Sequence, residues 1–101
     1  AYKLDKGLIM IRKKGKLPGK VISHTYELEY GSDTLEINVD AKEKKIALVD
    51  DLLATGGTAS AAINLIEKSG GFACCFFSII QLDFLKGFKR INIPTETLIH
   101  Y

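Results

Sequence analysis

The sequence predicts an α/β fold with a parallel β-sheet, and three features of the chain indicate it. Short apolar segments with β character recur at residues 8–11, 46–49 and 73–82. An alanine-rich segment with helical spacing of its apolar residues, 58–69, lies between the second and the third. Because a strand, a helix and a second strand in succession form a βαβ unit, the strands on either side of the helix are expected to run parallel.

The bulk properties of the chain indicate one small globular domain. It has 101 residues, of which 47% are hydrophobic and 26% are charged, as is usual for packed domains. A net charge of +2 is too small to indicate a nucleic-acid partner, and no apolar run approaches the roughly 18–20 residues of a membrane span. We therefore expect no nucleic-acid and no membrane partner, and a cytoplasmic location.

The two cysteines of the chain are neighbours, Cys74 and Cys75, inside an apolar run. Adjacent side chains on a strand point to opposite faces, so a disulfide or a shared metal is not expected. The pattern predicts two buried thiols in a reducing compartment.

The first elements from the amino terminus are a strand and a hairpin. The apolar run 8–11 is typical of a buried parallel strand. A basic loop follows at 12–20, and then residues 21–30 and 35–39 alternate between apolar and polar around a Gly-Ser-Asp turn signal. These patterns predict a β-hairpin inserted into the α/β fold, with its loop region over about residues 12–40.

The second half of the chain follows the βαβ pattern. The apolar face of segment 58–69 predicts a helix, which the glycine pair after it ends. The nearly continuous apolar run 73–82 predicts a central strand covered on both faces. The other predicted elements are a buried strand at 46–49, a loop or short helix at 85–90 and a last strand at 97–101.

The candidate site lies between the strand at 46–49 and the helix. Two acids, Asp50 and Asp51, follow the apolar run, and a small-residue loop then leads into the helix: Ala54, Thr55, Gly56, Gly57 and Thr58. A loop of this kind aims backbone N–H groups and a helix N-terminus at one point, which favours an anion such as phosphate. Because carboxylates repel phosphate, the ligand should also carry hydroxyls or a metal. A phosphorylated sugar meets both demands.

The segment 49–58 closely resembles the phosphoribosyl-diphosphate signature of the type I phosphoribosyltransferases. It is neither a P-loop, because no lysine follows the glycines, nor a GxGxxG dinucleotide loop. Within the family, the chain is similar to the adenine phosphoribosyltransferases. Residues 11–19 resemble their first loop motif, 26–31 their flexible catalytic loop, and Leu82 with 85–87 their late active-site segment. The resemblance covers nearly the whole chain.

The resemblance implies a role for each residue of the central motif. The loop from Ala54 to Thr58 would wrap the 5′-phosphate of the ribose, and Asp50 and Asp51 would face its 2′- and 3′-hydroxyls as catalytic groups. Transfer at the anomeric carbon passes through an oxocarbenium-like state, which fixed carboxylates favour. Mg²⁺ is the implied cofactor, held mainly through substrate oxygens and without a direct protein ligand.

Further roles follow from the resemblance alone. By itself the basic run is typical of a solvated loop, but in the family Arg12, Lys13 and Lys16 match residues that contact or close over the diphosphate. Glu29, by itself a solvated hairpin residue, matches a glutamate implicated in proton handling at the purine ring. Tyr30 matches a neighbour that closes over the site.

Leu82 is a core residue by periodicity, and by resemblance it packs on the adenine face. The implied reaction transfers the phosphoribosyl group from 5-phosphoribosyl 1-diphosphate to adenine, giving AMP and diphosphate in purine salvage, and the implied assembly is a homodimer. Two alternatives stay open: an enzyme acting on xanthine or another purine, and a regulator that binds the phosphoribosyl ligand without turnover. In the family, further elements precede the position matching Ala1, so this chain alone is expected to be poorly stable or inactive.

Overall fold

A computed structural model describes residues 3, 6–17, 19–28, 31–37 and 41–101 of the chain. Within these residues the chain forms six strands, one α-helix and two short 3₁₀ helices. The strands are β1 (Ile11–Lys13), β2 (Ile22–Leu28), β3 (Gly31–Ile37), β4 (Lys45–Leu53), β5 (Phe72–Gln81) and β6 (Thr95–His100); the helix α1 is Gly57–Lys68, and the 3₁₀ helices are Asp83–Leu85 and Gly87–Arg90.

The second half of the chain forms a parallel sheet in the order β4-β5-β6, with α1 as the connection from β4 to β5. Asp50 pairs with Ser78 on β5, and Gln81 at the end of β5 pairs with His100 on β6. The carboxyl ends of the three strands therefore meet at one edge. This arrangement confirms the predicted α/β class with a parallel sheet.

Helix α1 covers one face of this sheet with its small and aliphatic side chains. Leu65 and Ile66 are fully buried, and they share one core with Leu53 and Phe76 of the sheet. The helix starts after Gly56, whose φ of 85° lies in the left-handed region, and Gly70, with φ 90°, follows its C-cap Ser69. The predicted helix 58–69 is thus confirmed within one residue at each end, because glycines mark both boundaries.

The first half of the chain forms a separate antiparallel sheet in the order β1-β3-β2, which confirms the predicted hairpin. Strands β2 and β3 pair in register from Ile22 with Ile37 to Leu28 with Gly31. Ile37 is fully buried in the core beneath α1, and the Lys68 ammonium of the helix donates a hydrogen bond of 2.7 Å to the Ser23 carbonyl of β2. The hairpin is therefore docked on the helix rather than on the parallel sheet.

The predicted buried parallel strand at 8–11 is wrong. Residues 6–10 are not in a strand, Leu8 is 77% exposed, and β1 begins only at Ile11 and pairs antiparallel with β3. A short apolar run becomes a strand only where another strand can pair with it. Among the described residues, β3 is the strand that pairs with this segment, and the pairing begins at Ile11 with Ile37.

Strand β5 is central, as predicted, but in the described part of the chain it is covered on one face only. Phe76 and Ser78 are buried under α1, while the alternate residues Phe77 and Ile79 are 42% and 50% exposed. The prediction of cover on both faces is therefore wrong for these residues. A continuous apolar run specifies a strand, but the neighbouring elements decide which of its faces is covered.

The prediction of two buried thiols on opposite faces is also wrong. Cys74 is exposed and Cys75 half-buried, and their sulfur atoms lie 3.7 Å apart as free thiols. Ile46 pairs with Ala73 and Ala47 with Cys75, so Cys74 is the extra residue of a β-bulge. Because a bulge breaks the strict alternation of a strand, the two side chains approach each other.

Candidate functional site

The two acids of the candidate site lie inside strand β4, which continues to Leu53 instead of ending at Val49 as predicted. The cause is the pairing with β5, which holds residues 50–53 in the sheet as far as Gln81. Asp50 is half-buried and Asp51 is exposed. A carboxylate oxygen of Asp50 accepts a hydrogen bond of 2.8 Å from the backbone N–H of Asp51.

Burial raises the pKa of Asp50 above its ordinary value, and the neighbouring Asp51 carboxyl raises it further. The hydrogen bond from the Asp51 N–H opposes this rise without cancelling it. The ionised form of Asp50 is therefore held in an unfavourable setting. A ligand that brings hydroxyl donors or a cation to this carboxylate would relieve that cost.

The loop after β4 turns sharply into α1. Gly56 and Gly57 are both buried, and the Gly57 N–H points at the Thr55 hydroxyl oxygen at 3.5 Å. Gly56 is the N-cap and has no side chain, and the first turn of α1 contains no acidic residue. The first backbone N–H groups of a helix lack partners inside it, so this end of α1 is suited to an anion.

A second segment packs directly on this loop through backbone atoms. A Cβ placed on Gly56 would collide with the carbonyl oxygen of Gly87, and a Cβ on Gly87 would collide with the Ala54 carbonyl and come within 2.7 Å of the Gly56 nitrogen. Gly87 is buried, although the residues around it are exposed. The loop 54–57 and the 3₁₀ helix Gly87–Arg90 are thus in close contact, and only glycine fits at the two contact points.

The same contact brings Arg90 to the loop. A Cβ placed on Gly57 would lie 3.5 Å from Nη1 of Arg90 and 3.7 Å from the Thr55 hydroxyl oxygen. The sequence predicts Arg90 only as the last residue of a loop or short helix at 85–90. Its position is non-local, because β5 must first return the chain to the carboxyl edge of the sheet. No spacing within the sequence signals it.

The residues from Asp50 to Ala59 line one cleft of about 210 Å³. The structure therefore brings together both predicted acids and the whole predicted loop. A wider depression of about 430 Å³ lies at the opposite end of α1, lined by Glu67, Gly70, Gly71, Phe72 and Ala73. It contains a single titratable side chain, so it offers less convergent polar chemistry than the cleft.

Leu82 follows β5 directly and is half-buried. Its backbone N–H donates a hydrogen bond of 3.0 Å to the carbonyl of Leu53, the last residue of β4. The structure thus brings Leu82 to the edge of the sheet that carries the cleft.

The predicted diphosphate contacts lie on the antiparallel sheet and its loop. Arg12, Lys13 and Lys16 are exposed, and Lys13 forms an ion pair of 3.0 Å with Asp33 of β3. Their side chains make no hydrogen bond or ion pair with residues 50–58 in the described parts of the chain. One hairpin residue that the sequence gave no individual role does reach the loop: the Tyr26 hydroxyl lies 3.5 Å from that of Thr58.

Glu29 and Tyr30, the predicted proton-handling residue and its neighbour, lie outside the described residues. Strand β2 ends at Leu28 and β3 begins at Gly31. The roles of Glu29 and Tyr30 stay predictions from the resemblance.

A parallel sheet with an acid pair on one strand, a glycine loop at the N-terminus of the following helix and a docked hairpin define the type I phosphoribosyltransferase fold. The adenine phosphoribosyltransferase of Thermoanaerobacter pseudethanolicus superposes with a TM-score of 0.92 and 44% identity over 99% of this chain and 60% of that one. The Saccharomyces cerevisiae enzyme, solved with an imino-altritol bisphosphate and adenine, superposes with a TM-score of 0.90 and 43% identity, covering 97% and 57% of the two chains.

Curated relatives agree with the solved structures. An adenine phosphoribosyltransferase of Koribacter versatilis is 52% identical over all of this chain and 57% of its own length. One of Desulfitobacterium hafniense is 57% identical over 91% of this chain and 54% of its own length. The predicted resemblance to adenine phosphoribosyltransferases is therefore confirmed, and this chain spans a little over half the length of these curated relatives.

Two further findings are negative. No protein-family model matches the chain. Among the described residues, no helix has the length and apolar character needed to cross a membrane.

Proposed function

We propose that the protein containing this chain transfers the phosphoribosyl group from 5-phosphoribosyl 1-diphosphate to adenine and releases AMP and diphosphate, a reaction of purine salvage. The observation that carries the proposal is the cleft in which Asp50 and Asp51 stand beside the glycine loop at the N-terminus of α1. The similarity to adenine phosphoribosyltransferases supports it over the whole of this chain. In the yeast relative, adenine and a bisphosphate were bound together.

The loop 54–58 binds the 5′-phosphate of the ribose in this proposal. The donors are backbone N–H groups at the start of α1 and the hydroxyls of Thr55 and Thr58. Their geometry is fixed before the substrate arrives, because Gly56 and Gly57 are buried against the segment that contains Gly87. Donors held in advance need little reorganisation when the phosphate binds.

Asp50 and Asp51 act on the ribose. Hydrogen bonds from the 2′- and 3′-hydroxyls offset the cost of ionising the half-buried Asp50. As the bond from the anomeric carbon to the diphosphate breaks, positive charge develops on the sugar ring. The fixed carboxylates stabilise that charge more than they stabilise the neutral ground state, and this difference lowers the barrier.

In this proposal magnesium is held largely by the substrate. The described residues contain no group of three or more histidine, cysteine, aspartate or glutamate side chains able to enclose a metal ion. Mg²⁺ usually keeps several waters and is bound through one or two carboxylates together with substrate phosphates. Asp50 and Asp51 are the carboxylates in position to support it. When bound, Mg²⁺ neutralises charge on the leaving diphosphate.

The remaining roles in the proposal rest on the resemblance. Arg12, Lys13 and Lys16 bind the diphosphate, Glu29 handles a proton at the purine ring, and Tyr30 helps to close the site. Leu82 packs against adenine from its position beside the end of β4. The proposed assembly is a homodimer and the proposed location is the cytoplasm.

The test is product identification. The intact protein is incubated with Mg²⁺, 5-phosphoribosyl 1-diphosphate and an equimolar mixture of adenine, guanine, hypoxanthine and xanthine, and the nucleotides formed are identified by mass. We expect AMP as the main product and its loss when the magnesium is chelated.

Two variants make the test specific to the cleft. Asp50→Asn removes a proposed catalytic carboxylate, while Glu67→Gln removes one at the far end of α1. We expect loss of AMP synthesis only in Asp50→Asn. Xanthosine monophosphate as the main product would overturn the base assignment, and binding of the phosphoribosyl ligand without any nucleotide would overturn the enzymatic proposal.

A further inference from the structure

The phosphate loop contains no cationic side chain of its own. Residues 54–58 are small or hydroxylic, and the two residues before them in the cleft that carry charge, Asp50 and Asp51, are acids. A helix N-terminus contributes only about half of a positive charge. A phosphate monoester that carries up to two negative charges would therefore meet a weak field here unless a cation approaches from elsewhere in the fold.

Arg90 is a cation that approaches this loop. Its Nη1 atom and the Thr55 hydroxyl oxygen flank the same side of Gly57, at 3.5 Å and 3.7 Å from the position of a Cβ built there. The root of the side chain is close as well, because the Arg90 Cβ lies 3.2 Å from a Cβ built on Gly56. The Arg90 side chain thus lies along the loop from its Cβ to its guanidinium group.

The guanidinium group of Arg90 is not occupied by another protein group in the described structure. Neither ion pair of the described residues includes it, and no side-chain hydrogen bond involves it. The backbone contact of Gly87 with the loop holds the segment in place. Arg90 is also exposed to solvent.

We propose that Arg90 supplies the cationic side chain of the 5′-phosphate site, acting together with the backbone donors of residues 54–58. The inference rests on the proposed function and adds a residue to its phosphate site. A guanidinium group presents N–H donors in a planar fork that matches two phosphate oxygens. The loop thereby gains, from a distant part of the chain, the positive charge that a P-loop carries within its own motif.

Lys89 provides the matched control. It belongs to the same 3₁₀ helix and is exposed like Arg90, yet none of its atoms lies within 4 Å of a Cβ built on Gly57, where Nη1 of Arg90 does. A change that acts only through net charge should appear equally at both positions. A change that depends on contact with the phosphate should appear only at Arg90.

The experiment measures the binding of ribose 5-phosphate to the intact protein by calorimetry at low and high salt. The variants are Arg90→Gln, Arg90→Lys and Lys89→Gln, each first checked for an unchanged urea midpoint. Loss of a charge-assisted hydrogen bond predicts that Arg90→Gln binds about 10- to 100-fold more weakly. We expect Arg90→Lys to retain part of the affinity and Lys89→Gln to bind within about twofold of the wild type.

The salt dependence separates a phosphate contact from a structural role. Wild-type affinity should fall with added salt, and the fall should be shallower in Arg90→Gln, because one charge contact is gone. Equal affinities in Arg90→Gln and Lys89→Gln would overturn the inference. Weaker binding by Arg90→Gln with an unchanged salt dependence would also overturn it. If Arg90→Gln no longer folds, binding of ribose 5-phosphate by Arg90→Lys with the wild-type affinity would overturn it as well.

The outcomes for this inference and for the proposed function are distinguishable. If the wild type binds ribose 5-phosphate and Arg90→Gln does not, but no AMP forms from the full set of substrates, Arg90 stands and the enzymatic proposal fails. If AMP forms and Arg90→Gln binds ribose 5-phosphate like the wild type, only the role of Arg90 fails. A wild-type protein that binds no ribose 5-phosphate would overturn the role of Arg90, while the formation of AMP would still decide the enzymatic proposal.

Discussion

Two glycine-containing loops of this chain use glycine for different reasons. In the loop at 54–57, Gly56 has a left-handed φ of 85° and is also pressed against the carbonyl of Gly87. In the basic loop, Gly15 and Gly19 have similar φ values of 82° and 76°, but nothing lies within 4 Å of a Cβ built on either. The backbone conformation favours glycine in both loops, and packing requires it only in the first.

The charged groups that the structure describes beside the two loops also differ, because only those beside the second loop form an ion pair. Beside the first, burial raises the pKa of Asp50 and no cation is paired with it among the described residues. In the second, Lys13 forms an ion pair with Asp33, and its hydrogen bond holds the pKa of Asp33 below its usual range. The carboxylate beside the first loop is therefore open to a ligand, whereas the Lys13 ammonium beside the second is already paired with Asp33.

The largest expected effect comes from Gly56→Ala. A non-glycine residue with left-handed φ costs roughly 1–2 kcal/mol, and the new Cβ would also collide with a backbone carbonyl that has no room to yield. We expect the free energy of unfolding to fall by more than about 2 kcal/mol in urea denaturation and the binding of ribose 5-phosphate to be lost.

Gly57→Ala is the control for this change. A Cβ on Gly57 finds ordinary contacts of 3.5 Å or more, with the ends of side chains that can move. We expect it to fold with near wild-type stability. Equal damage in the two variants would contradict the assignment of the Gly56 effect to its left-handed φ and its contact with Gly87.

The next effect is that of Asp50→Asn, which should lower activity while raising stability. The pKa of Asp50 is raised in the folded state. Between the ordinary aspartate pKa and this raised pKa, the folded chain therefore binds more protons than the unfolded chain. Stability therefore falls through that window, and the cost persists at neutral pH. Asparagine keeps an oxygen to accept the Asp51 N–H and carries no charge.

We expect Asp50→Asn to unfold at higher urea than the wild type at neutral pH, and the difference to shrink below about pH 4. Its rate of AMP formation should fall about 100-fold. Urea titrations across this pH range and initial rates measure the two effects. A variant that is less stable than the wild type at neutral pH would contradict the assignment of Asp50 as an unfavourably placed charge.

A smaller effect is expected from Gly15→Ala in the basic loop. Its φ of 82° disfavours alanine by about 1 kcal/mol, but open space surrounds the new methyl group. The urea midpoint should fall slightly and ribose 5-phosphate should bind as in the wild type. Damage as large as that of Gly56→Ala would show that the basic loop is packed as tightly as the loop at 54–57.

The smallest effect is that of Asp33→Asn, which breaks the surface pair between Lys13, which is exposed, and the half-buried Asp33. Because the pKa of Asp33 is lowered in the folded state, the pair stabilises the chain above the ordinary aspartate pKa, and this contribution is lost as pH falls through the lowered value. Exposed pairs contribute little, and salt screens them. Thermal unfolding at neutral pH in high salt should not distinguish the variant from the wild type; a clear difference there would mean that the pair is structural.

Several parts of this fold were predictable because their signals are local. The helix 57–68 follows from its apolar spacing and from the glycines at its ends, and the hairpin follows from alternation around a turn. The acid pair and the loop 54–58 share one cleft because strand, loop and helix are consecutive. These features depend on residues a few positions apart.

The wrong predictions share a non-local cause. The apolar run 8–11 contains nothing that reveals that the available strand edge is β3, starting opposite Ile11. The end of β4 at Leu53 depends on pairing with β5, and the approach of Cys74 to Cys75 depends on a bulge against the same partner. Apolar pattern alone does not specify register or which face a neighbouring element covers.

By itself, the sequence determined the class of the sheet, the helix and the composition of the loop 54–58, because each is encoded within a short stretch of chain. Tertiary structure alone decided that Gly87 packs on Gly56 and that Arg90 stands beside Gly57. These contacts form only after β5 carries the chain back to the carboxyl edge of the parallel sheet. The physical reason is that backbone periodicity is a local property, whereas the close approach of two backbones depends on how whole elements pack.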